Sequence, residues 1–228
     1  MGSKVAILCS TDFFWGAEPI DLLNFLRKSG CDGLILSTEP PHYFPSNVNR
    51  TTLVELKALL KRFEGIVAIR APTTDVNMFS RNPYVAKASL QSIMEGISLA
   101  AKLDPDFVIV RPSYRPVEMS PYNIHKLRSL IQKIPRSMYV AFELFNPPED
   151  LSIFDERTAL ISVSGYRPAK HRVVGVAYEV ESPEEMRLIP GVMSLKYMLL
   201  YPRRRELISS DSLRKIVMRA KELRERII

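Results

Sequence analysis

The chain is poor in histidine, cysteine and glycine, and each shortage excludes something. Its three histidines, His42, His125 and His171, are scattered and lack the H-E-x-x-H spacing, so one chain cannot build a histidine-rich metal cage. The only cysteines, Cys9 and Cys31, form no C-x-x-C pair. Both sit in or beside apolar stretches and are expected to be small buried thiols rather than a disulfide. No apolar run reaches the ~18 residues that a bilayer-spanning helix needs, and the opening MGSKVAILCS reads as a strand too short for a signal peptide. A cytoplasmic location with no membrane partner is the expectation. Nine glycines stand against seventeen prolines, most of them in connections, which stiffens loops and lowers the entropy of the unfolded chain.

What is present suits a soluble globular protein: 46% of the 228 residues are hydrophobic and 25% are charged. The net charge of +7 can serve a nucleic acid or another polyanion. Acids and bases are interspersed, which favours a charge-dense surface of the thermophilic kind.

Residues 67–112 organise the rest. An apolar run ends at Arg70, a helix opens at Asn82-Pro83, and a second apolar run ends at Arg111-Pro112. Parallel strands joined by a helix deliver their ends to one side of a sheet, so Arg70 and Arg111 are expected to be neighbours at one rim.

The same alternation runs along the chain. Strands are expected at KVAILCS, GLILST, IVAIR, FVIVR and SMYVAFEL, then at RVVGVAYEV and VMSLKYMLLY. TALISVSG (158–165) is either a strand or a buried helical turn, which makes the count eight or seven. Helices are expected from Glu18-Pro19 to Gly30, from a capping box at Thr52-Leu53-Val54-Glu55, and from Asn82-Pro83 with Leu90, Ile93, Ile97 and Ala101 inward. Two more begin at Ser120-Pro121 and Ser210-Asp211, the last with Arg214, Lys215, Lys221 and Arg224 on its solvated side. Strand-helix spacing of this kind predicts one α/β domain over 1–228, a compact or incomplete (β/α)8 TIM-type barrel with a less regular C-terminal third.

AIRAPTTDVN (68–77), NPYVAKASLQSIMEGISLAAKL (82–103), VIVRP (108–112), GCDGLIL and YVAFEL together resemble the xylose-isomerase-like TIM-barrel superfamily, which holds sugar and sugar-phosphate isomerases and epimerases and the endonuclease IV type of repair enzyme. The resemblance covers roughly the first 145 residues well and the rest poorly. It implies metal-binding histidines and carboxylates at the strand ends, yet Arg70 and Arg111 stand where the third and fourth strands would offer histidines. Glu143 matches the glutamate that ends strand five, and Glu179 stands in for an aspartate in GVAYEVES. Arginine has no lone pair to give a metal, so the metal centre is expected to be degenerate: no cofactor, or a weak divalent site at Glu143 and Glu179.

Three readings of this rim follow. Arg70, Arg111, Glu143 and Glu179 pair into a buried ion network, or the arginines clamp an anion, or a metal survives. The functional expectation is a sugar or sugar-phosphate isomerase/epimerase-like barrel binding a small anionic, sugar-phosphate-like ligand. Glu143 and Glu179 would move protons, and Arg70, Arg111, Arg115 and Arg203 would hold the anion. Phe14 and Trp15 would form a wall, and His42 is placed on a rim loop. Alternatives are a nucleic-acid-binding or endonuclease IV-like module and a catalytically inactive barrel serving as a partner subunit. Oligomeric state is not indicated.

Overall fold

In the computed structural model, residues 5–14, 21, 25–26, 28–40, 43–163, 173–187, 195–203 and 209–226 are described. Eight parallel strands close into a barrel in sequence order: β1 (Ala6–Ser10), β2 (Gly33–Ser37), β3 (Ile66–Arg70), β4 (Phe107–Val110), β5 (Val140–Leu144), β6 (Thr158–Val163), β7 (Val173–Val180) and β8 (Tyr197–Pro202). β8 pairs with β1, Ala6 lying opposite Tyr197, and this closes the ring. The stretch from Thr158 to Val163 is thereby a strand, whose pairing with β7 shifts register between Leu160 and Ile161, while residues 164 and 165 lie outside the described residues.

Alternation along each strand separates two cores. Leu8, Ile35, Ala68, Ile109, Ala141, Ile161, Ala177 and Leu199 fill the barrel interior. Their neighbours Ile7, Cys9, Leu34, Leu36, Ile69, Val108, Phe142, Val176 and Leu200 point outward against the helices. Extending the inward series toward the strands' C-terminal ends predicts which side chains crowd the mouth: Ser37, Arg70, Arg111, Glu143, Glu179 and Tyr201.

The helices are α1 (Arg50–Lys61), α2 (Pro83–Leu103), α3 (Pro121–Lys133) and α4 (Ser210–Glu225), with helical residues also at Phe25, Leu26, Lys28 and Ser29. Asn82 and Ser120 cap α2 and α3 as expected, accepting from the amides of Tyr84 and Asn123. Two caps lie upstream of the sequence reading. Asn49 caps α1 by accepting from the Thr52 amide, and Ser209 caps α4 by accepting from the Ser212 amide, each satisfying one of the free amides of the first turn. The inward stripe of α2 runs through Ala100 rather than Ala101, which is exposed.

Gly96 on α2 has a positional reason. A methyl group there would lie 2.5 Å from Pro72 Cδ and 3.1 Å from Ala71, so the helix rests directly on the backbone that follows Arg70.

Two further corrections concern the first strand. Cys9 and Cys31 form a disulfide, their Cα atoms 6.2 Å apart across a separation of 22 residues. Cys9 faces outward from β1, and Cys31 follows the turn at Gly30, which has a positive φ of 79°. The fold brings together two thiols that local sequence keeps apart. Arg224, read as solvated, is buried instead. It donates to Asp32 Oδ2 at 2.9 Å, and that same oxygen accepts from the Ile7 amide at 3.0 Å. No helix among the described residues is long and apolar enough to cross a membrane.

Candidate active site at the barrel mouth

Arg70 ends β3 and Arg111 follows β4, and their guanidiniums converge on one carboxylate at the end of β5. Arg70 Nη2 donates to Glu143 Oε2 at 3.0 Å, and Arg111 Nε donates to the same oxygen at 2.9 Å. Arg111 Nη1 also donates to Glu179 Oε1 on β7. Asp12, just past β1, lies 3.7 Å from Arg70 Nη1. The Tyr201 ring on β8 underlies the Arg70 guanidinium at 4.1 Å, and Phe145 faces Arg111 at 5.2 Å.

Burial sets the electrostatics. Glu143 is fully buried, whereas the Glu179 side chain is 36% exposed. Burial alone would raise the Glu143 carboxyl, but Arg111 and then Arg70 outweigh it and hold the group below the usual carboxylate range. Arg70 is likewise penalised by burial, and Glu143, Tyr201, Asp12 and Glu179 more than offset this, so it stays charged. Burial, then Glu143, pushes the Tyr201 hydroxyl well above its ordinary range and keeps it neutral.

The network is incompletely satisfied. Ser37 Oγ, Arg70 Nε, Arg111 Nη2, Glu143 Oε1 and the Tyr201 hydroxyl are buried without a hydrogen-bond partner among the described residues. All five belong to the inward series at the strand ends. Buried polar groups are normally paired, so such a concentration marks the place where something else supplies partners.

The loops behind the mouth are cross-linked. Thr38 donates its amide and hydroxyl to the Arg70 carbonyl, at 3.0 and 2.7 Å. Glu39 Oε1 accepts from the Thr73 amide and hydroxyl and from the Thr74 amide at 2.6, 2.7 and 3.0 Å. The loops after β3 and β4 pair with each other, Met78 donating to Pro112 and Tyr114 to Val76. These contacts fix the backbone from which both arginines project.

The other expected site residues are placed less centrally. Phe14 is buried in the outer core, its ring 4.1 Å from that of Phe25, because the short helical turn after β1 points it at the neighbouring helical segment. Arg115 is exposed and lies over the Tyr114 ring at 4.8 Å. Arg203 is exposed and pairs with Glu185 at 2.9 Å. Trp15, His42, His171, Arg204 and Arg205 lie outside the described residues. The sequence reading missed Tyr201, Asp12 and Ser37. Counting inward positions from Leu199, Ser10 and Ile35 identifies Tyr201 and Ser37 and places Asp12 just beyond the end of its strand.

A cavity of about 580 Å³ opens at the opposite, N-terminal end, lined in part by Phe107, Tyr139, Tyr197 and Asp106. None of the unpartnered buried atoms belongs to it.

Comparison with known proteins supports the fold. The chain has the (β/α)8 barrel fold, the arrangement seen in solved sugar epimerase structures. Among solved structures it is similar to L-ribulose 3-epimerase, at 12% identity and a TM-score of 0.69 over 98% of this chain and 95% of that one. It is also similar to the IOLI protein with a bound zinc atom, at 11% identity and a TM-score of 0.68 over 98% and 99%. By sequence it matches two uncharacterised proteins of Methanocaldococcus jannaschii. One is 24% identical over 58% of this chain and 48% of the relative, the other 35% identical over 42% and 32%. The chain thus spans about half or less of the length of these curated relatives. No protein-family profile matches it.

A zinc-bearing neighbour raises the question whether this mouth fits a divalent ion. The described residues do not. No cluster of three or more histidine, cysteine, aspartate or glutamate side chains suited to a metal occurs among them. Glu143 and Glu179 each already accept from a guanidinium, and a guanidinium cannot ligate.

Proposed function

We propose that this protein is a sugar isomerase/epimerase-like barrel that binds a small oxygen-rich ligand at its C-terminal mouth and works there without a metal at these strand ends. The observation that carries the reading is the convergence of Arg70 and Arg111 on Glu143 in this fold, with an unpartnered N–H on each arginine. In this scheme Glu143 anchors the two guanidiniums. Glu179, the carboxylate with access to solvent, takes a proton from the carbon beside the ligand's carbonyl. The C–H bond breaks, its electrons form the enediolate, and the negative oxygen is held by the free N–H groups of Arg70 and Arg111. Returning the proton to the neighbouring carbon, while that carbon's hydroxyl proton passes to the former carbonyl oxygen, isomerises the sugar. A proton delivered from water to the opposite face of the original carbon, with Glu179 giving its own proton to solvent, epimerises it. The ligand is therefore anionic at least as this intermediate.

The test is proton exchange. Chelator-treated protein incubated in D2O with a panel of ketoses is expected to introduce deuterium beside the carbonyl, read by NMR, and Glu179→Gln is expected to abolish it. Absence of exchange from the whole panel would count against a catalytic role. It would favour a second reading, supported by the complete burial of Glu143, in which the ion network fills the mouth of an inactive barrel acting as a partner subunit.

A further inference from the structure

At the mouth both guanidiniums are already engaged by carboxylates while several hydrogen bonds stay unmatched, and the two facts together narrow the ligand. Among the described residues, Arg70 and Arg111 bring two positive charges, and Asp12, Glu143 and Glu179 face them with three carboxylates, so this cluster is formally one unit negative. The two further expected site arginines among the described residues change this balance little. Arg203 is matched by Glu185, and Arg115 lies in solvent, where its charge is screened. A phosphate placed here would bring two more negative charges into a buried site whose cations are already engaged. The unsatisfied groups ask for something else: acceptor oxygens for Arg70 Nε and Arg111 Nη2, a donor for Glu143 Oε1, and hydroxyl partners for Tyr201 and Ser37.

We infer that the mouth recognises an uncharged, hydroxyl-rich ligand, a free sugar or polyol rather than its phosphate ester, through hydrogen bonds alone, and that Tyr201 is a specificity-determining contact. The inference rests on the sugar-binding reading above and adds to it the charge state of the ligand and a residue which that reading does not use. Tyr201 suits the role because its hydroxyl is neutral, lacks a partner and lies on the barrel axis side of β8, while its ring, which underlies Arg70, survives removal of the oxygen.

The experiment is calorimetric titration of D-ribulose, D-fructose and D-tagatose, each beside its terminal phosphate ester, with inorganic phosphate as a further probe and chelator present throughout. At least one free sugar is expected to bind at least tenfold more tightly than its ester, unaffected by the chelator, and inorganic phosphate is expected not to compete. Tyr201→Phe is expected to weaken that sugar about fivefold to tenfold, since one hydrogen bond is lost. The melting temperature of the ligand-free variant is expected to stay the same or rise, because the deleted hydroxyl has no partner before ligand arrives. A tyrosine with a purely structural hydrogen bond would instead lower it. An ester that binds more tightly than its free sugar, or sugar binding abolished by the chelator, would overturn this inference and leave the sugar site standing. Failure of every probe to bind would overturn both.

Discussion

Arg70 and Arg111, on neighbouring strands, donate to the same oxygen of Glu143, so one buried carboxylate holds two buried cations in place. Glu143→Ala removes that carboxylate and leaves both guanidiniums in the barrel. The expected loss is about 3–5 kcal/mol, the usual penalty for breaking a buried ion pair from one side. Urea denaturation of the variant against the parent measures it.

Acid should act through the same residue. Glu143 is held below its ordinary value near 4.5, so it contributes stability that is complete above that pH and is lost as pH falls through the lower folded-state value. Melting temperatures from pH 6 downward are expected to drop in the parent. In Glu143→Gln, which starts from a lower plateau, the drop is expected to be shallower.

On the alkaline side the relevant group is Tyr178, whose hydroxyl donates to the Arg187 carbonyl at 3.0 Å and is pushed by burial from 10.0 up to about 12. Its raised value gives stability that is complete below pH 10 and lost as pH climbs toward 12. Tyr178→Phe should flatten that limb of the stability curve, and ultraviolet titration should show one fewer late-ionising tyrosine.

The Cys9–Cys31 bridge closes a loop of about 22 residues, and a loop of that size is worth about 3 kcal/mol in chain entropy. Thiol titration of the denatured, unreduced protein should find no free cysteine. Reduction, or Cys31→Ser, should lower the denaturation midpoint accordingly, and an unchanged midpoint would show that the bridge adds nothing.

The architecture was readable because its determinants are local. Apolar runs of five or so residues, proline after a capping side chain, and arginine at two strand ends all act within a few residues, and seven strands and the caps at Asn82 and Ser120 follow from them. What stayed open or was missed depends on closure. Thr158–Val163 is a short apolar run whose strand identity comes from pairing on both edges. Arg224 sits in a charged stripe by sequence, and only its approach to Asp32 buries it. Cys9 and Cys31 meet because β1 faces outward at residue 9. At the site, the rim arginines and Glu143 were visible from strand ends, whereas Tyr201 looked like one more apolar residue of the last strand until the alternation of the closed barrel turned it inward.

The bare contact of Gly96 with Ala71 and Pro72 gives the arginine pair a mechanical adjustment. A helix seated this close to Ala71 and the Pro72 ring has no slack to absorb added volume, so any group added at position 96 pushes on the segment that follows Arg70. Gly96→Ala is therefore expected to disturb the position of Arg70 by geometry alone, with every charge and every hydrogen-bonding group of the mouth left chemically intact. Position 96 is in effect a set-screw behind the site, reached from the outside of the barrel.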